Sequence, residues 1–242
     1  MRLLAIIFSI IVFAMQAKAQ SLDPDSLDED FVVASVVVAS PGKDVYSAFG
    51  HTALRLQCPT HQLDYVYSYE SEEHGLLEAK FLLGMTHGRT VAVPTAEYVQ
   101  KYADEGRGVV EYELQMPIAS KQELWRMMDE QIVRHERPYD FYSHSCGAMV
   151  FRWLCQVTDT CGLAIEWSDY FNRTVYEIGA EQVEDCWSEC FITSLFQGKA
   201  QDADVSHDNK VRTPLDLVTA LQHMSVAGRP ILKSSQPKQL AE

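Results

Sequence analysis

Phe31 to Ala39 reads Phe-Val-Val-Ala-Ser-Val-Val-Val-Ala, a run almost wholly apolar and rich in β-branched side chains. Branching at Cβ disfavours helix. The absence of a polar alternation means that neither side of a pleated strand could face water, so the run is expected to be a strand buried on both faces. Ser40-Pro41-Gly42 ends it. It is the first core strand.

The segments after it alternate between strand and helix patterns. Val45 to Phe49 leads into a strand at His51 to Leu56, where Thr52, Leu54 and Leu56 alternate with His51, Ala53 and Arg55. Cys58-Pro59-Thr60 supplies a turn, and Leu63 to Tyr69 returns as the second arm of a hairpin. Period-two spacing puts Tyr65, Tyr67 and Tyr69 on one face of that arm and Asp64, Val66 and Ser68 on the other. His74 to Leu83 is expected as a short helix, Thr90 to Val93 as a strand and Val109 to Met116 as another. Thr95 to Tyr102 reads as a helix that follows Pro94, with Thr95 as its cap.

Ser120-Lys121-Gln122-Glu123 has the form of a capping box, with Leu124, Met127 and Met128 at helical spacing behind it, so a helix is expected to about His135, closed by Pro138. Ser145 to Leu154 is the next, with Ser143 or Ser145 as cap and Cys146 in its first turn. Asp169 to Ile178 is expected to be helical and Gln201 to Lys210 a polar loop. Thr213-Pro214-Leu215 starts a last helix to about His223, after which the final dozen residues are expected to fray.

Ahead of the core strand lie one basic residue, Arg2, an apolar run from Leu3 to Met15 and the small residues Ala17 and Ala19. This is the form of a secretory leader, residues 1–19, cut after Ala19; the run is shorter than the roughly 20 apolar residues of a membrane span. No cysteine follows the cut, so the mature chain is not expected to carry a lipid anchor. Residues 20–30 are acidic and polar and read as a mobile terminus. The remaining length, with 47% hydrophobic and 22% charged residues, suits a single domain over 20–242.

Acidic residues outnumber Lys and Arg by 34 to 20, a formal charge of -14 that becomes -16 once the positive charges of Arg2 and Lys18 leave with the leader. Without a basic run, nucleic acid is excluded as a partner. Six cysteines, at 58, 146, 155, 161, 186 and 190, in an exported chain suggest three disulfides by default, or, if Cys146 is a free nucleophile, at least one further unpaired cysteine, with Cys155–Cys161 and Cys186–Cys190 as the local pairings to test. Neither Cys-x-x-Cys nor His-Glu-x-x-His occurs, so no metal or other cofactor is expected.

Two short segments carry chemistry. Phe49-Gly50-His51-Thr52-Ala53 offers an imidazole on a strand, and Ser143-His144-Ser145-Cys146-Gly147 a thiol at a helix start. Unpaired N–H groups and the helix dipole stabilise a thiolate at that position, and a nearby imidazole can hold or remove its proton. Cys146 is therefore the candidate nucleophile and His51 the candidate base, with Gly147 expected to let a substrate approach the backbone. His144 is expected at the rim, His61 and His74 in solvated turns, His87 near a pocket and Cys58 in a structural role. Asp64, Ser68 and Tyr69, on the strand beside His51, are the candidates for a third member that orients the imidazole; spacing does not choose among them.

These residues carry a family resemblance. Ser40-Pro41-Gly42, Tyr46-Ser47, the stretch from Phe49 to Arg55, Asp64-Tyr65-Val66, Tyr69, Phe81 with Gly84, and Tyr139-Asp140-Phe141 ahead of Cys146 resemble the periplasmic domain of the Lnb-type lipoprotein N-acyltransferases, over about residues 31–154. Ser145 stands where that family often has Asn, and Glu70 where it commonly has Gly. The resemblance implies an α+β, permuted papain-like (NlpC-like) fold, with an antiparallel sheet packed against helices and His preceding Cys along the chain.

It implies a periplasmic location and a thioester mechanism. Cys146 takes an acyl group from a phospholipid and passes it to the amine of a lipoprotein, with peripheral contact to the membrane and Ser145 among the site contacts. Two other functions are open from the residues: a soluble cysteine amidase or peptidase acting on peptidoglycan peptides, and a disulfide-stapled binding module without catalysis.

Overall fold

A computed structural model of the 242-residue chain describes residues 32–43, 47–71, 86–134, 137–139, 144–172 and 210–242. The expected leader, the helix at His74 to Leu83, Asp185 to Phe196 with Cys186 and Cys190, and most of the loop at Gln201 to Lys210 lie outside them.

The run that opens the chain's core is β1 (Val33–Ala39). It pairs antiparallel with β2 (His51–Cys58) on one side and β5 (Val109–Glu113) on the other. Among the described residues the main sheet continues through β3 (Leu63–Ser71) and β4 (Thr86–Pro94) to β6 (Arg137–Tyr139), and is closed at the other edge by β10 (Lys238–Ala241). The order is β10-β5-β1-β2-β3-β4-β6, and every neighbouring pair is antiparallel. A second sheet joins β7 (Leu163–Ile165), β8 (Met224–Val226) and β9 (Arg229–Pro230).

Helices cover both faces, which is why β1 has no polar side. One face carries Val36, Leu54, Leu56, Tyr67 and Tyr69 against three helices. These are α2 (Ile118–Ile132), α3 (Cys146–Thr158) and α4 (Pro214–Gln222). The other carries Val37, Ala39, Ala53 and Val66 against Tyr98 and Tyr102 of α1 (Thr95–Asp104). The alternation read from β3 holds, Tyr67 and Tyr69 lying on one face and Val66 on the other. Each fully buried Leu contributes about 1.5–3 kcal/mol of burial free energy.

Several local expectations are corrected. The residue preceding α1 is Pro94, and the Thr95 hydroxyl donates instead to Asp64 at 2.5 Å. The second helix begins at Ile118 after Pro117, so Ser120 lies inside its first turn, buried, with Oγ 3.3 Å from the Cys161 sulfur; the proline start displaces the capping box, and the helix ends at Ile132. Asp169 to Asn172 forms a 3-10 turn, and the rest of the helix expected to Ile178 lies outside the described residues. The C-terminal residues do not fray, because β10 finds the open edge of β5. Cys58, Cys146, Cys155 and Cys161 are free thiols, which overturns both the three-disulfide expectation and the Cys155–Cys161 pairing. The Cys186–Cys190 pairing lies outside the described residues.

Candidate active site

The site lies where β2 begins and β3 ends. Gly50 has φ +84°, and a Cβ there would meet the carbonyl oxygen of Ala39 at 2.6 Å. Only glycine makes this turn without strain, and it sets His51 as the first residue of β2. The imidazole stacks on the ring of Tyr102, centroids 6.3 Å apart, and its Nε2 lies 2.7 Å from the Ser68 hydroxyl. Ser68 is wholly buried on β3, opposite Ala53.

Cys146 is the first residue of α3. Ser145 caps that helix, its Oγ accepting from the N–H of Ala148 at 3.2 Å and donating to the Arg212 carbonyl at 2.5 Å. The structure thus gives Ser145 a capping and tethering part. Gly147 also differs from expectation. A Cβ on it would lie 2.6 and 2.8 Å from the carbonyl oxygens of Arg212 and Thr213, so its smallness admits the protein's own backbone. Thr213 in turn caps α4 with a full capping box to Asp216.

The imidazole and the thiol interact directly. Burial pushes the Cys146 thiol up, but the His51 charge, a hydrogen bond from it and contacts from Thr52 outweigh this and bring it down to about 7. Burial pulls His51 down, while the charge and hydrogen bond of Cys146, with Glu70 behind them, raise it above the ordinary histidine value. An ion pair of thiolate and imidazolium is the state favoured by such a pair.

Of the three residues considered as a third member, Ser68 is the one bonded to His51. Asp64 is held elsewhere, by Arg55 at 2.6 and 2.8 Å, Gln57 at 3.3 Å and Thr95. Burial raises its carboxyl, but the hydrogen bonds from Arg55 and Thr95 keep it below the usual carboxylate range. Tyr69 points to the opposite face, stacked on Tyr139 at 5.6 Å and edge-on to Trp153 at 6.4 Å. Of the other histidines, His144 is half-buried ahead of the thiol, and His61 and His87 are exposed.

Two residues at the thiol were given no role from the sequence. Tyr139, on the edge strand β6, reaches both the backbone N–H and the sulfur of Cys146, and burial together with the Cys146 charge raises its phenol far above the ordinary value. Thr52 follows His51 on β2. Its signal was its position, since alternation sends it to the α3 face. A cavity of about 630 Å³ opens on the His51 side of the pair, lined among others by His51, Tyr69, Glu70, Tyr102, Arg107 and Tyr139 and not by Cys146. Its size is that of a small-molecule site, and its rim is charged. Among the described residues no three His, Cys, Asp or Glu side chains converge as a metal group.

No helix among the described residues is long and apolar enough to cross a membrane. No curated protein and no solved structure matches the chain. Residues 19–176, well over half of the length, match the family described as the Lnb N-terminal periplasmic domain, and the chain belongs to that periplasmic family.

Proposed function

We propose that this protein is an exported, periplasmic cysteine acyltransferase of permuted papain-like architecture, in which Cys146 is the nucleophile, His51 the base and Ser68 the residue that orients the imidazole. One observation carries the reading: a thiol on the first turn of α3 and an imidazole on the first residue of β2 meet in a buried contact that favours their charged forms.

The chemistry follows from those positions. The Cys146 sulfur attacks the carbonyl of an acyl ester, an N–H of the first turn of α3 that the Ser145 cap does not occupy binds the oxyanion, and His51 gives its proton to the departing alcohol. The product is a thioester. An incoming amine then attacks its carbonyl, loses a proton to His51 and leaves as the amide, while sulfur returns to thiolate. The donor in this proposal is a phospholipid and the acceptor the N-terminal amine of a lipoprotein, met at the membrane surface by a protein exported through the leader read at residues 1–19; membership of the Lnb periplasmic domain family supports it.

The charged cavity rim, with Lys101, Arg107, Glu70 and Glu105, favours a second reading, hydrolysis of a peptidoglycan peptide amide. Water in place of the amine makes that difference. Purified mature protein is given lipoprotein with phospholipid, or muropeptides, and acyl-Cys146 is sought by mass spectrometry in wild type, Cys146→Ala and His51→Ala. An acyl adduct from phospholipid that passes to the lipoprotein amine and is lost in Cys146→Ala is expected. Cleavage of muropeptides with no acyl transfer would decide for the hydrolase.

A further inference from the structure

Thr52 is wholly buried, and its hydroxyl makes no hydrogen bond of good geometry. Buried hydroxyls are nearly always partnered, so an orphan one beside a reactive group calls for a reason. Strand alternation supplies the direction. His51 and Ala53 face α1, whereas Thr52 shares the face of Leu54 and Leu56, which α3 covers. At that end of β2, α3 presents its first residue, Cys146.

The main chain points the same way. The β2–β3 ladder stops at Ala53–Ser68, one residue short of Thr52. Donation from the N–H and the hydroxyl of Thr52 favours the ionised form of the neighbouring Cys146 sulfur, although the hydroxyl as it stands has no partner of good geometry. A neutral thiol is a weak acceptor, which leaves the hydroxyl unsatisfied; a thiolate is a strong one. Ionising the sulfur completes the hydrogen bonding of Thr52.

We propose that Thr52 is a catalytic residue of the thiol site, whose hydroxyl and N–H donate to the Cys146 sulfur and hold it as thiolate independently of the imidazole. It deepens the acyltransfer reading and uses the same site. When the sulfur becomes a thioester, the acceptor is lost and the hydroxyl is again unsatisfied, so the same contact that favours the free thiolate also favours its return at deacylation.

The test reads ionisation rather than turnover. The pH dependence of iodoacetamide labelling of the Cys146 peptide is measured by mass spectrometry in the mature chain, in Thr52→Val, Thr52→Ser and each of these combined with His51→Ala. Thr52→Val should move the midpoint up by about one pH unit, a roughly tenfold loss of thiolate well below it, without loss of thermal stability at pH values below the midpoint, where the sulfur is a neutral thiol and valine removes an unpartnered hydroxyl at nearly constant shape. Thr52→Ser should label like wild type. Should Thr52→Val fail to fold, Thr52→Ala gives the same reading.

A wild-type midpoint in Thr52→Val, or a Thr52→Ser that labels like Thr52→Val, overturns the proposal. So does an effect that vanishes in the His51→Ala background, since Thr52 would then act through the imidazole. A normal Thr52 effect with no acyl transfer to any amine sinks the acyltransferase reading and leaves this one standing.

Discussion

Nε2 of His51 lies 2.7 Å from the hydroxyl of Ser68, which in the mechanism we propose leaves Nδ1 to serve the sulfur of Cys146. For Nδ1 to accept the thiol proton, Nε2 must carry the ring hydrogen and donate it to Ser68. In that mechanism Ser68 fixes tautomer and ring plane. Replacing it with alanine removes about one hydrogen bond's worth of alignment, a roughly tenfold fall in turnover. Cys146 should still label with iodoacetamide near neutral pH, because the imidazole stays stacked on Tyr102. Steady-state acyl transfer and labelling of Ser68→Ala check the two halves; equal loss of both would mean that Ser68 merely holds the fold.

Reactivity of Cys146 should rise through about pH 7, well below the ordinary thiol at about 8.5. The sign follows from the charge balance: burial alone would raise the thiol, and His51 supplies the largest opposing influence. In His51→Ala the desolvation cost is left standing, so the midpoint of labelling should move upward, toward or beyond the ordinary range. Labelling of the Cys146 peptide across pH 5 to 10 measures it, and an unchanged midpoint would show that the imidazole does not set the thiol's charge. Cys155, pushed up to about 12 by burial and Asp159, serves as an internal unreactive thiol.

The strand framework was legible because its signal is local. The β-branched run before Ser40 and the tyrosine alternation from Tyr65 to Tyr69 each declare a strand by residue type and period, and Cys146 declared a helix start through Ser145. What was illegible depends on distant partners. Ser120 has the sequence of a cap, yet Pro117 starts the helix earlier and Cys161 takes up its hydroxyl. The last residues carry no strand signal strong enough to stand alone, and become β10 because β5 offers an unpaired edge. Ser68 could not be chosen over Asp64 from one strand, since what removes Asp64 is Arg55 from β2 and Thr95 from α1.

Arg55 holds more than Asp64. Its Nη1 also meets the Glu111 carboxylate on β5 at 2.9 and 3.0 Å, with both side chains buried. Replacing Arg55 with methionine leaves that buried carboxylate with only the exposed Lys238 ammonium, 3.7 Å away, a loss of up to about 3–5 kcal/mol. The thiol midpoint should not move, because the network sits further along β2 from Cys146. Denaturant unfolding reads the first expectation and labelling the second. A combined Arg55→Met, Glu111→Met chain should recover part of the loss, and no recovery would mean that packing rather than charge is at stake.

Gly147→Ala tests how the thiol is positioned. Its new Cβ would sit 2.6 Å from the Arg212 carbonyl oxygen and 2.8 Å from that of Thr213, and neither can yield easily. The Arg212 oxygen accepts from Ser145, and the Thr213 side chain accepts from the Asp216 N–H at the head of α4. Relief must therefore come from moving the first turn of α3, and Cys146 moves with it. Displacement of about 1 Å at a reacting atom costs on the order of a hundredfold in rate. Acyl transfer should fall by about that factor while the far-ultraviolet spectrum and the burial of α3 persist. If activity survives Gly147→Ala at close to the wild-type level, the thiol's place does not depend on its contact with the Arg212–Thr213 backbone.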